Sequence, residues 1–162
     1  MTRLRPVGLQ DLGEVVAIFL DCWALSYREV MPAELVERMT PDAAEALWER
    51  SLAAPGMDFL GAEGPDGRLA GIVGFRLTAP GVGYVSSLYV SPHAQGGGFG
   101  RRLLAAAEGE LADRGATTAR LWVFEQNEPS RRFYERSGWE ADGTRETLPE
   151  WGVPQIGMAK RL

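Results

Sequence analysis

The chain has 162 residues, of which 45% are hydrophobic and 24% are charged. This balance predicts one folded domain with a sizeable core and excludes a mainly disordered or fibrous chain. The net charge of −5 at pH 7 disfavours a general nucleic-acid-binding protein, because phosphate binding needs excess cations. No apolar run approaches the ~20 residues that span a bilayer, and the first residues lack the apolar stretch of a secretory signal.

The chain contains one cysteine, Cys22, and one histidine, His93. A single cysteine excludes an internal disulfide or a CxxC site, and a single histidine excludes the HExxH zinc motif. We therefore expect a cytoplasmic protein without a metal. Cys22 lies among apolar helical residues without a histidine nearby in sequence, so we expect an inert core residue rather than a nucleophile.

The first third of the chain predicts one strand and three helices. An alternating pattern predicts the strand, and apolar residues at spacings of three and four predict the first helix. A proline then interrupts the pattern, and a Thr-Pro pair supplies the cap and the first position of the third helix. The predicted elements are a strand over 2–7 and helices over 9–27, 33–39 and 40–52.

The remaining chain predicts further strands and two helices. A Gly-Pro-Asp-Gly turn joins two apolar stretches, which is typical of an antiparallel hairpin. Apolar residues at helical spacing follow a glycine-rich stretch, and Gly138 provides a cap for the last helix. The predicted elements are strands over 57–62, 69–78, 83–90 and 117–125, helices over 98–114 and 127–137, and one or two strands from Trp139 onward, the last over 155–161.

The order of these elements, β-ααα-βββ-α-β-α-ββ, predicts the fold class. This order indicates an α+β fold with a mixed sheet. We expect the sheet to be flanked by helices in an α/β/α layered arrangement. We expect residues 1–162 to form a single domain, because neither a linker nor a repeat interrupts the pattern.

The segment between the predicted strand over 83–90 and the helix that follows it is rich in glycine. The first turn of a helix leaves its N–H groups unpaired, and the helix dipole adds positive potential there. Glycine lets a phosphate approach these amides without a Cβ in the way, so the segment predicts a phosphate cradle. A flexible glycine loop is the alternative. The residues are Gln95, Gly96, Gly97, Gly98, Phe99, Gly100 and Arg101.

The spacing within this segment separates the classes of phosphate ligand. No lysine follows the glycines, which excludes a GxxxxGK[ST] loop, and a GxGxxG motif fails because its sixth position is Arg101. The pattern that fits is Gln95-x-x-Gly98-x-Gly100. It resembles the acyl-CoA signature Q/R-x-x-G-x-G/A of the GNAT superfamily of N-acetyltransferases, which wraps the pyrophosphate of coenzyme A.

A second segment extends this resemblance. Residues 127–139 are similar to the family pattern N-x-x-[AS]-x-x-[FL]-Y-x-x-x-G-[FW], with Asn127 at its start and Tyr134 at its tyrosine. The two signatures together cover roughly residues 84–140. The resemblance implies a splayed central sheet and an acyltransferase that uses acetyl-CoA as co-substrate, without a metal.

The resemblance also implies roles for individual residues. The backbone of Leu88, Tyr89 and Val90 is expected to pair with pantetheine, and the Leu88 N–H to bond the thioester oxygen as negative charge develops. Asn127 is expected to cap its helix and reach the pantetheine arm. Tyr134 is expected to act as the general acid that protonates the leaving thiolate. Simple aromatic packing is the alternative for Tyr134.

The general base and the acceptor pocket are less defined. Some family members place a glutamate five residues before the asparagine of the second signature, but this chain has Trp122 there. Glu125 is the substitute that we expect, with Glu29, Glu63 and a water chain left open.

The acceptor pocket is expected near the end of the first helix, where Trp23 and Tyr27 share a face. Core packing is the alternative for Trp23.

These observations predict an N-acetyltransferase that moves an acetyl group from acetyl-CoA to a primary amine by direct attack in a ternary complex. We expect a small-molecule acceptor. The alternatives are acetylation of a protein N-terminus or lysine, a non-catalytic acyl-CoA sensor, and a general nucleotide-binding protein. Nucleic acid and membrane are not expected as partners, and a homodimer through the terminal strands is compatible with this reading.

Overall fold

Seven strands form one mixed sheet in the computed structural model, which describes residues 2–162. The strands are β1 (Arg3–Pro6), β2 (Asp58–Glu63), β3 (Leu69–Ala79), β4 (Val82–Val90), β5 (Thr118–Phe124), β6 (Glu140–Thr147) and β7 (Pro154–Arg161). Their order across the sheet is β1-β2-β3-β4-β5-β7-β6, and β4–β5 is the only parallel pair among the described residues.

Five α-helices complete the element order β-ααα-βββ-α-β-α-ββ, which confirms the predicted order and the α+β class. Thr40 caps the third helix, because its hydroxyl accepts the Ala43 N–H at 3.2 Å. No helix within residues 2–162 has the length and apolar character needed to cross a bilayer. The helices are α1 (Leu12–Asp21), α2 (Ala33–Arg38), α3 (Pro41–Ala53), α4 (Phe99–Asp113) and α5 (Glu128–Arg136).

The first helical segment differs from the continuous helix predicted over 9–27. A 3₁₀ turn (Leu9–Asp11) precedes α1, and a π-helical turn (Cys22–Ser26) and a second 3₁₀ turn (Tyr27–Glu29) follow it. Each change of pitch rotates the side chains that come after it, and π turns are frequent at functional sites. Periodicity alone did not reveal these changes.

Helices cover both faces of the sheet and bury two apolar clusters. On one face, Leu103, Leu104 and Leu111 of α4 pack with Tyr134 of α5 and Leu121 of β5. On the other face, the N-terminal helices bury a second cluster. Its largest members include Phe19, Trp23, Trp48, Phe59 and Ile72. The sheet therefore lies between two helical layers, as predicted.

The parallel strands β4 and β5 separate after a short stretch of pairing. Their register runs from Val82 opposite Thr118 to Val85 opposite Leu121 and then stops. On the opposite edge, Gly74 of β3 pairs with Ser87 and Phe75 pairs with Val85, which leaves Ser86 as an extra residue in β4. Such a bulge bends its strand. The resulting gap opens the centre of the sheet.

The close packing at Gly74 supports a stability prediction. An added Cβ at Gly74 would lie 2.5 Å from the Phe59 ring and 2.6 Å from the Ser86 hydroxyl. We expect Gly74→Ala to lower the free energy of unfolding by about 1–3 kcal/mol, because the bulged strand must shift. Urea denaturation measures the change.

Gly109→Ala is the matched control for this substitution. Gly109 lies within α4, and nothing comes within 4 Å of an added Cβ there. The same exchange should raise the free energy of unfolding by about 0.5–1 kcal/mol, because alanine favours the helix. A Gly74→Ala variant as stable as the unmodified chain would contradict the tight packing at the bulge.

Candidate active site

The gap between β4 and β5 opens into two cavities that meet within the sheet. The smaller has a volume of about 360 Å³ and the larger about 830 Å³. The larger cavity leads to the glycine loop, and the smaller is bounded by β5 and residues near β6 and β7. The residues that line both cavities, and so mark their junction, are Tyr27, Leu88, Tyr89, Asn127, Ser130 and Tyr134.

The glycine loop presents free amides to the larger cavity. Gly98 precedes α4 in a left-handed conformation with φ of 77°, which a residue with a Cβ rarely adopts. The first intrahelical bond joins Arg102 N–H to the Gly98 carbonyl at 3.1 Å. Within residues 2–162, the amides of residues 99–101 have no acceptor, so they can bind an anion.

The predicted loop residues reach this cavity with one exception. Gln95, Gly96, Gly98, Phe99, Gly100 and Arg101 line it. Gly97 does not line it, because it faces the ring of Phe99, where an added Cβ would lie 2.9 Å from a ring carbon. The loop thus brings the helix end and one arginine to the same opening.

The free edge of β4 supplies backbone groups to the gap. Ser91 N–H donates to Ala70 on β3, so the alternation of an antiparallel pair directs Tyr89 toward β3 and Leu88 and Val90 toward the gap. The Val90 carbonyl already accepts bonds from the Cys22 thiol at 3.2 Å and the Gln95 amide at 3.4 Å. Leu88 therefore remains the open backbone position of this edge.

The start of α5 places two polar side chains at the junction. Asn127 is 4% exposed, and its side-chain oxygen accepts the Ser130 N–H at 3.3 Å as the helix cap. Its amide nitrogen donates no hydrogen bond within the described chain. Tyr134 is 9% exposed, and burial raises the pKa of its phenol, with Tyr27 adding to the shift. The phenol carries its proton at neutral pH, as a proton donor must, and the raised pKa makes it a weaker acid than a solvated phenol.

Trp23 and Tyr27 both lie in the wall of the smaller cavity. Their ring centroids are 4.8 Å apart, and Trp23 stacks on Trp151 at 5.8 Å. Trp23 is only 2% exposed and also belongs to the core, so both interpretations made from the sequence describe it. Its indole N–H is buried without a partner among the described residues.

Glu125, the expected general base, lies outside the linings of both cavities. Its carboxylate pairs with Arg145, with the closest N–O distance at 3.0 Å. That hydrogen bond is the main cause that lowers the pKa of Glu125, so the carboxylate is a weaker proton acceptor. Glu63 pairs with Arg5 on the outer strands, and Glu29 lines the larger cavity.

The smaller cavity contains residues that sequence reasoning missed. Glu146 of β6 and Gln155 of β7 line it, together with Trp151 from the segment between these strands. Glu146 pairs in register with Gln155, which in turn pairs with Phe124 of β5. Only the strand order places these residues beside the site, although alternation along β6 could have indicated which side chains share a face.

The splayed parallel pair, the amide-lined glycine loop and the buried tyrosine at their junction define an acyl-CoA-dependent N-acetyltransferase. Residues 17–139 match the model of the acetyltransferase (GNAT) family, so the chain belongs to this family and is an acyltransferase with acetyl-CoA as co-substrate. Within residues 2–162, no group of three or more histidine, cysteine, aspartate or glutamate side chains could hold a metal ion.

Individual relatives extend this similarity over the whole chain. The chain is 29% identical to the uncharacterised N-acetyltransferase YuaI of Bacillus subtilis, covering 100% of this chain and 98% of the relative. It is 25% identical to a spermidine N(1)-acetyltransferase of Thermoplasma acidophilum, covering 88% and 90%. The fold is similar to the PaiA N-acetyltransferase of Thermoplasma acidophilum, solved with coenzyme A, with a TM-score of 0.78, 22% identity and coverage of 100% and 99%.

The sole cysteine, Cys22, lies in the wall of the larger cavity, and its thiol has low nucleophilic reactivity. Burial is the main cause that raises the pKa of Cys22 to about 12, and the charge of Asp21 adds to it. At pH 8 a thiol with this pKa is ionised to a fraction of only about 10⁻⁴, which makes it a poor nucleophile. The geometry therefore supports the expected inert role.

This property gives a direct chemical test. We expect iodoacetamide at pH 8 to modify the folded chain at least ~100-fold more slowly than the chain unfolded in urea, because only the thiolate reacts. The rate for the folded chain should rise as the pH approaches 12. Mass spectrometry follows the single site, and equal rates for the folded and unfolded chains would contradict the shift.

Proposed function

We propose that the protein transfers the acetyl group of acetyl-CoA directly to the primary amine of a small molecule within a ternary complex. The observation that carries this proposal is the junction of the two cavities at Leu88, Asn127 and Tyr134. A cofactor that enters from the glycine loop and an acceptor that enters from the opposite side would meet there.

The larger cavity offers binding groups for both the pyrophosphate and the pantetheine arm of coenzyme A. The free amides of residues 99–101, with the Arg101 guanidinium, would hold the pyrophosphate at the positive end of α4. The pantetheine arm would extend along β4 as an added strand, bonding the backbone of Leu88. The Asn127 amide would contact the same arm from the start of α5.

The reaction proposed at the junction begins with attack of a neutral amine on the thioester carbon. The carbonyl oxygen becomes negatively charged, and the Leu88 N–H would stabilise it, an effect that typically contributes ~2.7–4 kcal/mol. The C–S bond then breaks, and Tyr134 would give its proton to the departing thiolate. The proton that the nitrogen loses would leave through water, since Glu125 does not reach the cavities.

Three observations favour direct transfer to a small amine acceptor. Cys22 is the only cysteine, and its high pKa disfavours an acyl-enzyme intermediate on sulfur. The 360 Å³ of the smaller cavity lies at the lower end of the ~300–1,000 Å³ range of small-molecule sites. The relative from Thermoplasma acidophilum is named for a small amine, spermidine, which supports an amine acceptor here.

Tyr134→Phe tests the proposed general acid. We expect kcat to fall at least ~100-fold, because loss of the phenol proton leaves the thiolate without a donor. The Kd for coenzyme A should change less than about threefold, since the ring still fills its buried site. Thiol release measures kcat, and a variant that keeps more than half of the original kcat would exclude this role.

Gly98→Ala tests the pyrophosphate site. A Cβ at φ of 77° is strained by about 1–2 kcal/mol, so the loop should change conformation and misplace its amides. We expect calorimetry to show a Kd for coenzyme A at least about tenfold weaker. The helical variant Gly109→Ala serves as the control and should bind as the unmodified chain does. Equal affinities in both variants would argue against the amide cradle.

A further inference from the structure

The walls of the smaller cavity have an unusual chemical composition. Eight of its eighteen lining residues are aromatic. Three of these are Trp122 and Phe124 of β5 and Trp151 from the segment between β6 and β7. Glu146 is its single carboxylate, and no lysine, arginine or histidine lines it. Aromatic faces carry negative potential and attract organic cations. The cavity is therefore suited to a positively charged ligand.

Glu146 differs from its acidic neighbours on the sheet in lacking a counter-ion. Glu125 pairs with Arg145, and Asp142 pairs with Arg120 at 2.7 Å. No cationic side chain within residues 2–162 lies within 4 Å of the Glu146 carboxylate. Its one hydrogen-bond donor is the neutral Gln155 amide at 2.8 Å, which orients the carboxylate without neutralising it.

Tyr84 of β4 lies in the same cavity as Glu146, and the carboxylate charge affects its pKa. Burial is the main cause that raises the pKa of Tyr84, Arg76 opposes the shift, and the charge of Glu146 adds to it. Both side chains line the same cavity.

The position of Glu146 separates it from the reacting atoms. Its strand β6 lies two strands beyond β5, which corresponds to about 10 Å between the strand axes. The reaction proposed above takes place on the other side of β5, at Leu88 and Tyr134. Glu146 therefore comes from a strand that β5 and β7 separate from the reacting atoms, which suits it to a second charge on the same molecule.

We propose that the acceptor carries a second positive charge, which Glu146 binds at the far end of the smaller cavity while the aromatic rings enclose the chain between the two amines. This inference rests on the acetyl transfer proposed above and names its substrate class as aliphatic diamines and polyamines. The amine at the junction reacts, and the distal ammonium stays charged and sets the orientation.

Matched amines of equal length test this assignment. Cadaverine has an amine at each end, pentylamine lacks the distal charge, and the ω-amino acid of the same length carries a distal carboxylate. With acetyl-CoA, we expect kcat/KM for cadaverine to exceed that for pentylamine at least about tenfold, as one ion pair of about 1.4 kcal/mol gives. The amino acid should react more slowly than pentylamine.

The variant Glu146→Gln isolates the carboxylate. We expect the ratio of kcat/KM for cadaverine over pentylamine to fall to near one, mainly through a higher KM for cadaverine. Glu140→Gln, on the same exposed strand but outside both cavities, is the control and should keep the ratio. Equal kcat/KM values for cadaverine and pentylamine in the unmodified chain would overturn the inference. An unchanged ratio of these values in Glu146→Gln would also overturn it, and either result would leave the proposed acetyl transfer intact.

A binding measurement separates this inference from the proposed reaction. Trp122 and Trp151 line the cavity, so titration with cadaverine should change the intrinsic fluorescence of the unliganded protein. We expect at least about tenfold weaker binding for Glu146→Gln and no weakening for Glu140→Gln. Saturable binding without turnover of any amine would contradict the enzyme function alone, and absence of binding would contradict the cation site.

Discussion

The early end of pairing between β4 and β5 is the constraint on which the site depends. After Val85 the pairing of the two strands ends, and the extra residue Ser86 forms a bulge at the same point of β4. The backbone of Leu88 then faces a gap instead of a strand. Buried backbone groups need hydrogen-bond partners, so a gap in the middle of a sheet favours a ligand that can act as the missing strand.

The two helical layers give different chemistry to the two sides of this gap. The layer of α4 and α5 supplies the free amides of residues 99–101, an amide side chain at Asn127 and a protonated phenol at Tyr134. The N-terminal layer supplies mainly aromatic rings, including Trp23 and Tyr27. An anionic cofactor would therefore bind on the side of the free amides and a cationic acceptor on the side of the aromatic rings. This difference disfavours binding of either ligand in the other's cavity.

The local features of this protein could be predicted from its sequence, and its long-range placements could not. The roles of Gly98 and Asn127 could be predicted because a left-handed turn favours glycine and a helix cap favours asparagine. Glu125 lies close in sequence to the second signature, but its carboxylate pairs with Arg145. Glu146 follows Arg145 on β6, and the strand order β5-β7-β6 places it beside the cavity. The periodicity of a sequence does not determine the order of strands in a sheet, so this placement could not be predicted.

Amide chemical shifts in a ¹⁵N-labelled sample, recorded as coenzyme A is added, test the central claim most directly. Filling of the gap should shift the amides of Leu88 and residues 99–101 together and saturably, because the ligand would bond these groups. Amides on the exposed strand β6 should stay in place. Saturable binding that leaves Leu88 and residues 99–101 unchanged would show that the cofactor does not complete the sheet at this gap.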